Sequence, residues 1–139
     1  MSVSQPKIVI ESVEIVGQQD SSTALLFHGR IENPHGGTLR LLQYDYNLTV
    51  QGKSVYHGRQ AAGMTLIGES ERQFTLPAAF TNTVAGFDPA ALPDASQWLL
   101  SGSLQFIGDS VFAETLREMG YEPTVGFSGS GTLQWPTSR

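Results

Sequence analysis

Three histidines, His28, His35 and His57, are the first candidates for chemistry, because imidazole can ligate a metal or carry a proton near neutral pH. A metal centre needs ligands that converge, and its sequence signature is a short recurring spacing. These histidines lack one, so His28 and His57 would meet only if they sat on neighbouring strands. Gly108-Asp109-Ser110 has the look of a hydrolase serine turn, but a serine nucleophile needs a base and an oxyanion hole beside it. No histidine follows the triplet, and Asp109 and Ser110 suit a helix cap better. Glu11 with Glu14 and Glu69 with Glu71 fall at exposed strand or turn positions. Acid–base catalysis calls for carboxylates in a pocket with displaced pKa values. Asp20, Ser21 and Ser22 offer too few oxygens for calcium. The glycine-rich run from Gly126 to Gly131 opens no helix and is not a phosphate loop. Asn47-Leu48-Thr49 is a glycosylation sequon that matters only on a eukaryotic secretory route. No catalytic residue, cofactor, metal or small-molecule substrate is therefore expected, and the chain is not read as an enzyme.

The elements that must position these residues are bounded by length and composition. A chain of 139 residues, 40% hydrophobic and 15% charged, reads as one folded domain over residues 1–139, with its core at about 6–135. The net charge of −5 works against nucleic acid and against anionic lipid, both of which need a basic face. The absence of cysteine excludes disulfides, thiol catalysis and cysteine-type metal sites. No run approaches the ~18 apolar residues of a membrane-spanning helix. Met1 to Lys7 lacks the charged and apolar regions of a signal peptide, so a cytoplasmic place is expected unless a leader has been removed.

Alternation with period 2, the signature of half-buried strands, dominates the chain. Val125, Phe127, Gly129, Gly131, Leu133 and Trp135 share one face, with Thr and Ser between them. Leu25, Phe27, Gly29 and Ile31 repeat the pattern, with His28, Arg30 and Glu32 turned out. Leu42, Tyr44, Tyr46, Leu48 and Val50 form a third run, and Trp98, Leu100, Gly102, Leu104 and Phe106 another. Phe74 and Leu76 predict a short strand ended by Pro77. Ile8 and Ile10 differ in parity from Val13 and Ile15, which predicts a bulge or a change of sheet in the first strand. Gln51-Gly52 predicts a tight hairpin, and Gly68 marks the next turn. A short helix is expected near Thr83 to Phe87, and an amphipathic one over Ser110 to Met119 with Gly120 at its C′ position. The fold class is all-β, an antiparallel sandwich of about seven strands with one or two short helices. On the nominally outward faces, Leu26, Leu41, Leu99 and Ile107 are the residues for possible surface contact.

A family resemblance rests on an ordered series of segments. The first runs from Phe27 through Asn33-Pro34 to His35, and the next through Leu39-Arg40-Leu41-Leu42-Gln43-Tyr44-Asp45-Tyr46-Asn47-Leu48. Val50 to Gly58, Arg72 to Pro77, Trp98 to Phe106 and Thr124 to Leu133 follow in order. The series resembles the late embryogenesis abundant group 2 proteins, also called the water stress and hypersensitive response domain. The resemblance covers roughly Pro6 to Trp135 and marks Asn33, Pro34, Asp45, Tyr46 and Gly58 as motif positions. Asn33-Pro34 reads as a structural corner, since Asn bonds nearby backbone and Pro fixes φ.

The resemblance implies an immunoglobulin- or fibronectin III-like sandwich. It implies a non-enzymatic protein that protects during desiccation, cold or heat by weak contact with client proteins or membrane surfaces. It also implies a lipoprotein-like placement in the bacterial periplasm, tethered to the outer membrane, if a leader preceded this chain. A monomer is expected. The alternative reading is a cell-envelope adaptor that recognises one protein partner through a sheet edge or face.

Overall fold

Period-2 alternation becomes seven antiparallel strands in a computed structural model that describes residues 6–19, 22–34, 36–81, 95–108, 118–120 and 123–134. The strands are β1 (Lys7–Gln19), β2 (Ser22–Asn33), β3 (Leu39–Val50), β4 (Lys53–Leu66), β5 (Ser70–Thr81), β6 (Ala95–Gly108) and β7 (Thr124–Gln134). They form a three-stranded sheet in the order β1-β2-β5 and a four-stranded sheet in the order β4-β3-β6-β7. The inward faces of both sheets supply one core, so the arrangement is a sandwich, as expected.

Turn chemistry sets the register. Gln51 and Gly52 both have positive φ, 50° and 79°, the requirement of the two-residue hairpin that best matches strand twist. It joins β3 to β4 with Val50 opposite Lys53. The parity change in β1 is a register shift against β2 between Ile10 and Ser12. β1 stays in one sheet throughout, so the irregularity is a bulge and not a crossing between sheets.

Three expectations need correction. Pro77 does not end a strand: β5 continues through it to Thr81. β5 is an edge strand, and the Pro77 carbonyl turns away from β2 to accept a bond from Tyr46, so its nitrogen also faces away from the ladder. Leu41 does not face out: it is 1% exposed, in the core. β3 has a register shift between Leu41 and Gln43 against both neighbours, which flips its parity at Leu42. Leu39 and Leu41 therefore point inward before the shift and Tyr44 and Tyr46 after it, leaving Leu42 half-buried. Ile107 keeps its outward parity but is only 2% exposed. Strand alternation fixes a side chain's direction and not what lies over it.

Of the two helical expectations, Thr83 to Phe87 lies outside the described residues, as does most of Ser110 to Met119. Glu118 is helical, and Gly120 has a φ of 89°, as a C′ glycine requires.

Aromatic rings join the two sheets. Phe27 on β2 meets Trp98 on β6 edge-on with centroids 5.2 Å apart, and Phe74 on β5 stacks on Tyr44 of β3 at 5.0 Å. Within the sheets, rings lie over glycines. Gly29 pairs with Phe74, Gly58 and Gly102 with Tyr46, Gly102 with Phe127, and Gly131 with Trp98. The inward glycines of the alternating pattern are thus spaces that rings fill, except Gly129, whose space is taken by the Ile10 side chain.

Candidate functional site

Asn33 ends β2 and is 1% exposed. Its side-chain amide donates to the Gly37 carbonyl at 2.6 Å and lies 3.3 Å from the carbonyls of Leu66 and Ile67. One amide thereby ties the loop after β2 to the turn after β4, and Pro34 beside it is exposed. The pair forms a corner built from hydrogen bonds to backbone, with no group poised for reaction.

Asp45, Tyr46 and Gly58 lie on adjacent strands but split between the two faces of their sheet. Asp45 faces out, 3.2 Å from the Arg59 guanidinium and 3.1 Å from His57 Nε2. Tyr46 faces in, and its hydroxyl donates to the Pro77 carbonyl at 2.5 Å. Gly58 leaves room for the Tyr46 ring, since a Cβ there would stand 2.6 Å from Tyr46 Cζ. Burial raises the pKa of Tyr46, and the neighbouring Tyr56 hydroxyl adds to the rise. Tyr44, two residues earlier, is pushed up to about 12 by burial. The Tyr44 hydroxyl has no hydrogen-bond partner among the described residues.

The outer face of the three-stranded sheet carries charge. Arg30 stands among three carboxylates: Glu11 Oε2 at 3.0 Å, Glu32 Oε1 at 3.4 Å and Glu71 Oε2 at 3.5 Å. Glu32 and Glu71 are directly opposite in the ladder, a like-charge pair that the arginine between them offsets. His28 Nε2 meets Glu14 at 2.7 Å on the same face. On the four-stranded sheet the charged residues lie on β3 and β4, as at Asp45 and Arg59, while β6 and β7 carry none. Asn47, Ser101 and Ser128 share one row, and Thr49, Leu99 and Ser130 the next.

The structure separates several residues that alternation had grouped. Leu26 is half-buried on the three-stranded sheet, and Leu99, 44% exposed, lies on the other, so the three leucines and one isoleucine named for surface contact form no common patch. His28 and His57 lie on different sheets, so they are not on neighbouring strands. No group of three or more potential metal ligands gathers among the described residues. Asp109 and Ser110 lie outside those residues. No described helix is long and apolar enough to cross a membrane. Among the described residues, shallow grooves open to solvent are present. One is lined by Glu11, His28, Phe74 and Thr75 among others, and one by Val13, Ile15, Thr132, Leu133 and Gln134.

Two features escaped the reading of the sequence. One is the Tyr46–Pro77 bond, whose only trace was a tyrosine on an inward face, where a buried hydroxyl needs a partner. The other is the carboxylate cluster about Arg30, foreshadowed only by outward Arg and Glu on one strand.

No family model matches this sequence. No curated protein matches it by sequence search. Solved structures do match over nearly the whole chain. The solution structure of a late embryogenesis abundant protein superposes with a TM-score of 0.73 at 14% identity, covering 97% of this chain and 74% of that one. A solution structure of an Arabidopsis thaliana protein gives a TM-score of 0.65 at 13% identity, covering 94% and 82%. A crystal structure of an Archaeoglobus fulgidus protein gives 0.59 at 12% identity, covering 94% and 100%. The resemblance first seen in the order of the strand segments is thus matched in three dimensions, and the chain has the fold of a late embryogenesis abundant protein.

Proposed function

We propose that this domain is a non-enzymatic protective protein of the late embryogenesis abundant type, stabilising other proteins or membranes by weak surface contact during drying, cold or heat. The observation that carries this reading is the fold shared with a late embryogenesis abundant protein over 97% of the chain. The chemistry of the surface supports it. Several charges on the outer faces pair within the domain, as at Arg30 among its three glutamates and at Asp45 beside Arg59, so part of the surface charge is compensated locally. Among the described residues the large exposed apolar side chains are Val16, Ile67, Leu99 and Met119, and none of them lines either groove. Such a surface suits weak contact with many clients.

The test is the activity of a labile enzyme after drying and heating with this protein added, against an equal mass of albumin. Protection well above albumin at low molar ratio is expected. Protection equal to albumin, for protein clients and for leakage from lipid vesicles alike, overturns the reading.

The adaptor reading, in which a sheet edge or face takes one partner, is favoured by one observation. β7 is an edge strand with no charged residue. A single stoichiometric partner would support it over broad protection.

A further inference from the structure

A sheet edge offers unpaired backbone groups that a strand of another chain can take up. β5 is such an edge, with Phe74, Leu76, Ala78 and Phe80 on its buried face. Charge guards only its start: past Glu71 and Arg72 the strand is uncharged as far as Thr81. The ladder with β2 runs without a shift, and the Pro77 carbonyl points away from it. Gln73, Thr75, Pro77 and Ala79 therefore all turn their backbone groups to the free side.

Two neighbouring carbonyls on that side already have donors. Gln60 Nε2 lies 3.3 Å from the Thr75 carbonyl, and the Tyr46 hydroxyl lies 2.5 Å from that of Pro77. Pro77 also has no N–H to offer. At the middle of this edge, only the Thr75 N–H stays open among the described residues.

Both donors come from the opposite sheet, and the sequence makes room for them. Tyr46 belongs to the interior strand β3, so its ring has to cross β4 to reach β5. It crosses at Gly58, its partner in the ladder. A Cβ at Gly58 would stand 2.8 Å from the Tyr46 hydroxyl oxygen. Gln60 lies opposite Tyr44, two residues along from Gly58 and on the same side of β4. The Thr75 carbonyl gives this polar side chain its partner.

We propose that Tyr46 and Gln60 form a latch that closes the β5 edge to strands of a second copy. Gly58 is the gap through which the latch reaches, and Pro77 removes the donor that no side chain could mask. Tyr46 and Gly58 thus keep the domain single, a role separate from any contact with clients. The proposal holds whether or not the domain is protective.

The test is sedimentation of the full chain over a wide concentration range. The wild type is expected to stay monomeric. Tyr46→Phe combined with Gln60→Ala frees both carbonyls, and self-association at least about ten-fold tighter than in the wild type is expected. Gln60→Ala alone, at a half-buried position, keeps the fold and gives a smaller rise. Ile31→Val, in the core of β2, weakens the fold without touching the latch and stays monomeric. Thr75→Pro, added to the double variant, removes the last open N–H, whose nitrogen faces outward as that of Pro77 does, and returns the protein to a monomer. A double variant no more associated than the wild type overturns the proposal. So does an Ile31→Val protein that associates as strongly as the double variant, or association that survives Thr75→Pro.

Discussion

The Tyr46 hydroxyl donates to the Pro77 carbonyl, fastening the centre of the four-stranded sheet to the edge of the other. Two residues away on the same strand, the Tyr44 hydroxyl is equally buried and has no partner among the described residues. The two tyrosines share burial and differ in satisfaction, so the same substitution has opposite consequences. Tyr46→Phe removes a made bond and strands a carbonyl, and lowers stability by about 1–2 kcal/mol. Tyr44→Phe removes only an unsatisfied hydroxyl and is neutral or stabilising by up to about 1 kcal/mol. Urea unfolding of the two variants checks this pair, and a destabilised Tyr44→Phe protein contradicts it.

Gly58→Ala tests the ring-over-glycine packing. The added methyl would stand 2.6 Å from Tyr46 Cζ and 2.7 Å from Tyr56 Cε2. The Tyr46 ring cannot retreat without straining its bond to Pro77, so the expected loss is about 2 kcal/mol. Because clash and bond share one ring, the penalties do not add. Gly58→Ala costs less in a Tyr46→Phe background, which a double-mutant cycle on thermal unfolding reads directly.

Much of this fold was legible because alternation marks strands strongly: the inward runs of β2 and β7, the Gln51-Gly52 hairpin and the parity break in β1 all stand where the sequence puts them. What escaped depends on relations between strands. The bulge at Leu42, which buries Leu41, arises from β3 having to match two neighbours at once, and neither neighbour's register is written in β3 itself. Pro77 was misjudged because a proline is excluded from a central strand but not from an edge, and edge status is set by topology. Asn33 was legible as a corner, yet its carbonyl partners at Leu66 and Ile67 lie more than thirty residues away.

Alkaline stability follows from the tyrosines. An unfolded tyrosine ionises near pH ~10. Burial holds Tyr44 at about 12 and raises Tyr46 as well. Both folded-state pKa values lie above their unfolded ones, so the stabilisation is full below pH ~10 and is lost as pH rises through ~10 to ~12. For Tyr44 alone the loss approaches roughly 2 kcal/mol. The urea midpoint should fall steeply over that window, and the slope should be shallower in Tyr44→Phe. A pH-independent midpoint between those limits refutes the assignment.

Asn33→Asp gives the sharpest test of the corner. The Asn33 amide donates to the Gly37 carbonyl and lies near two further carbonyl oxygens. An isosteric carboxylate replaces the donor with an acceptor that those oxygens repel, in a site only 1% exposed. The expected cost near neutral pH is about 3 kcal/mol or more. Protonation restores a donor, so the folded-state pKa of the introduced Asp lies above its unfolded value. Stability in the variant is therefore greatest in acid and is lost as pH rises through that raised pKa. The deficit relative to Asn33 should shrink on acidification, whereas Asn33→Ala, which has no titratable group, should show a deficit that does not change with pH. Equal pH dependence in the two variants would mean that the carbonyls do not read the charge at this position.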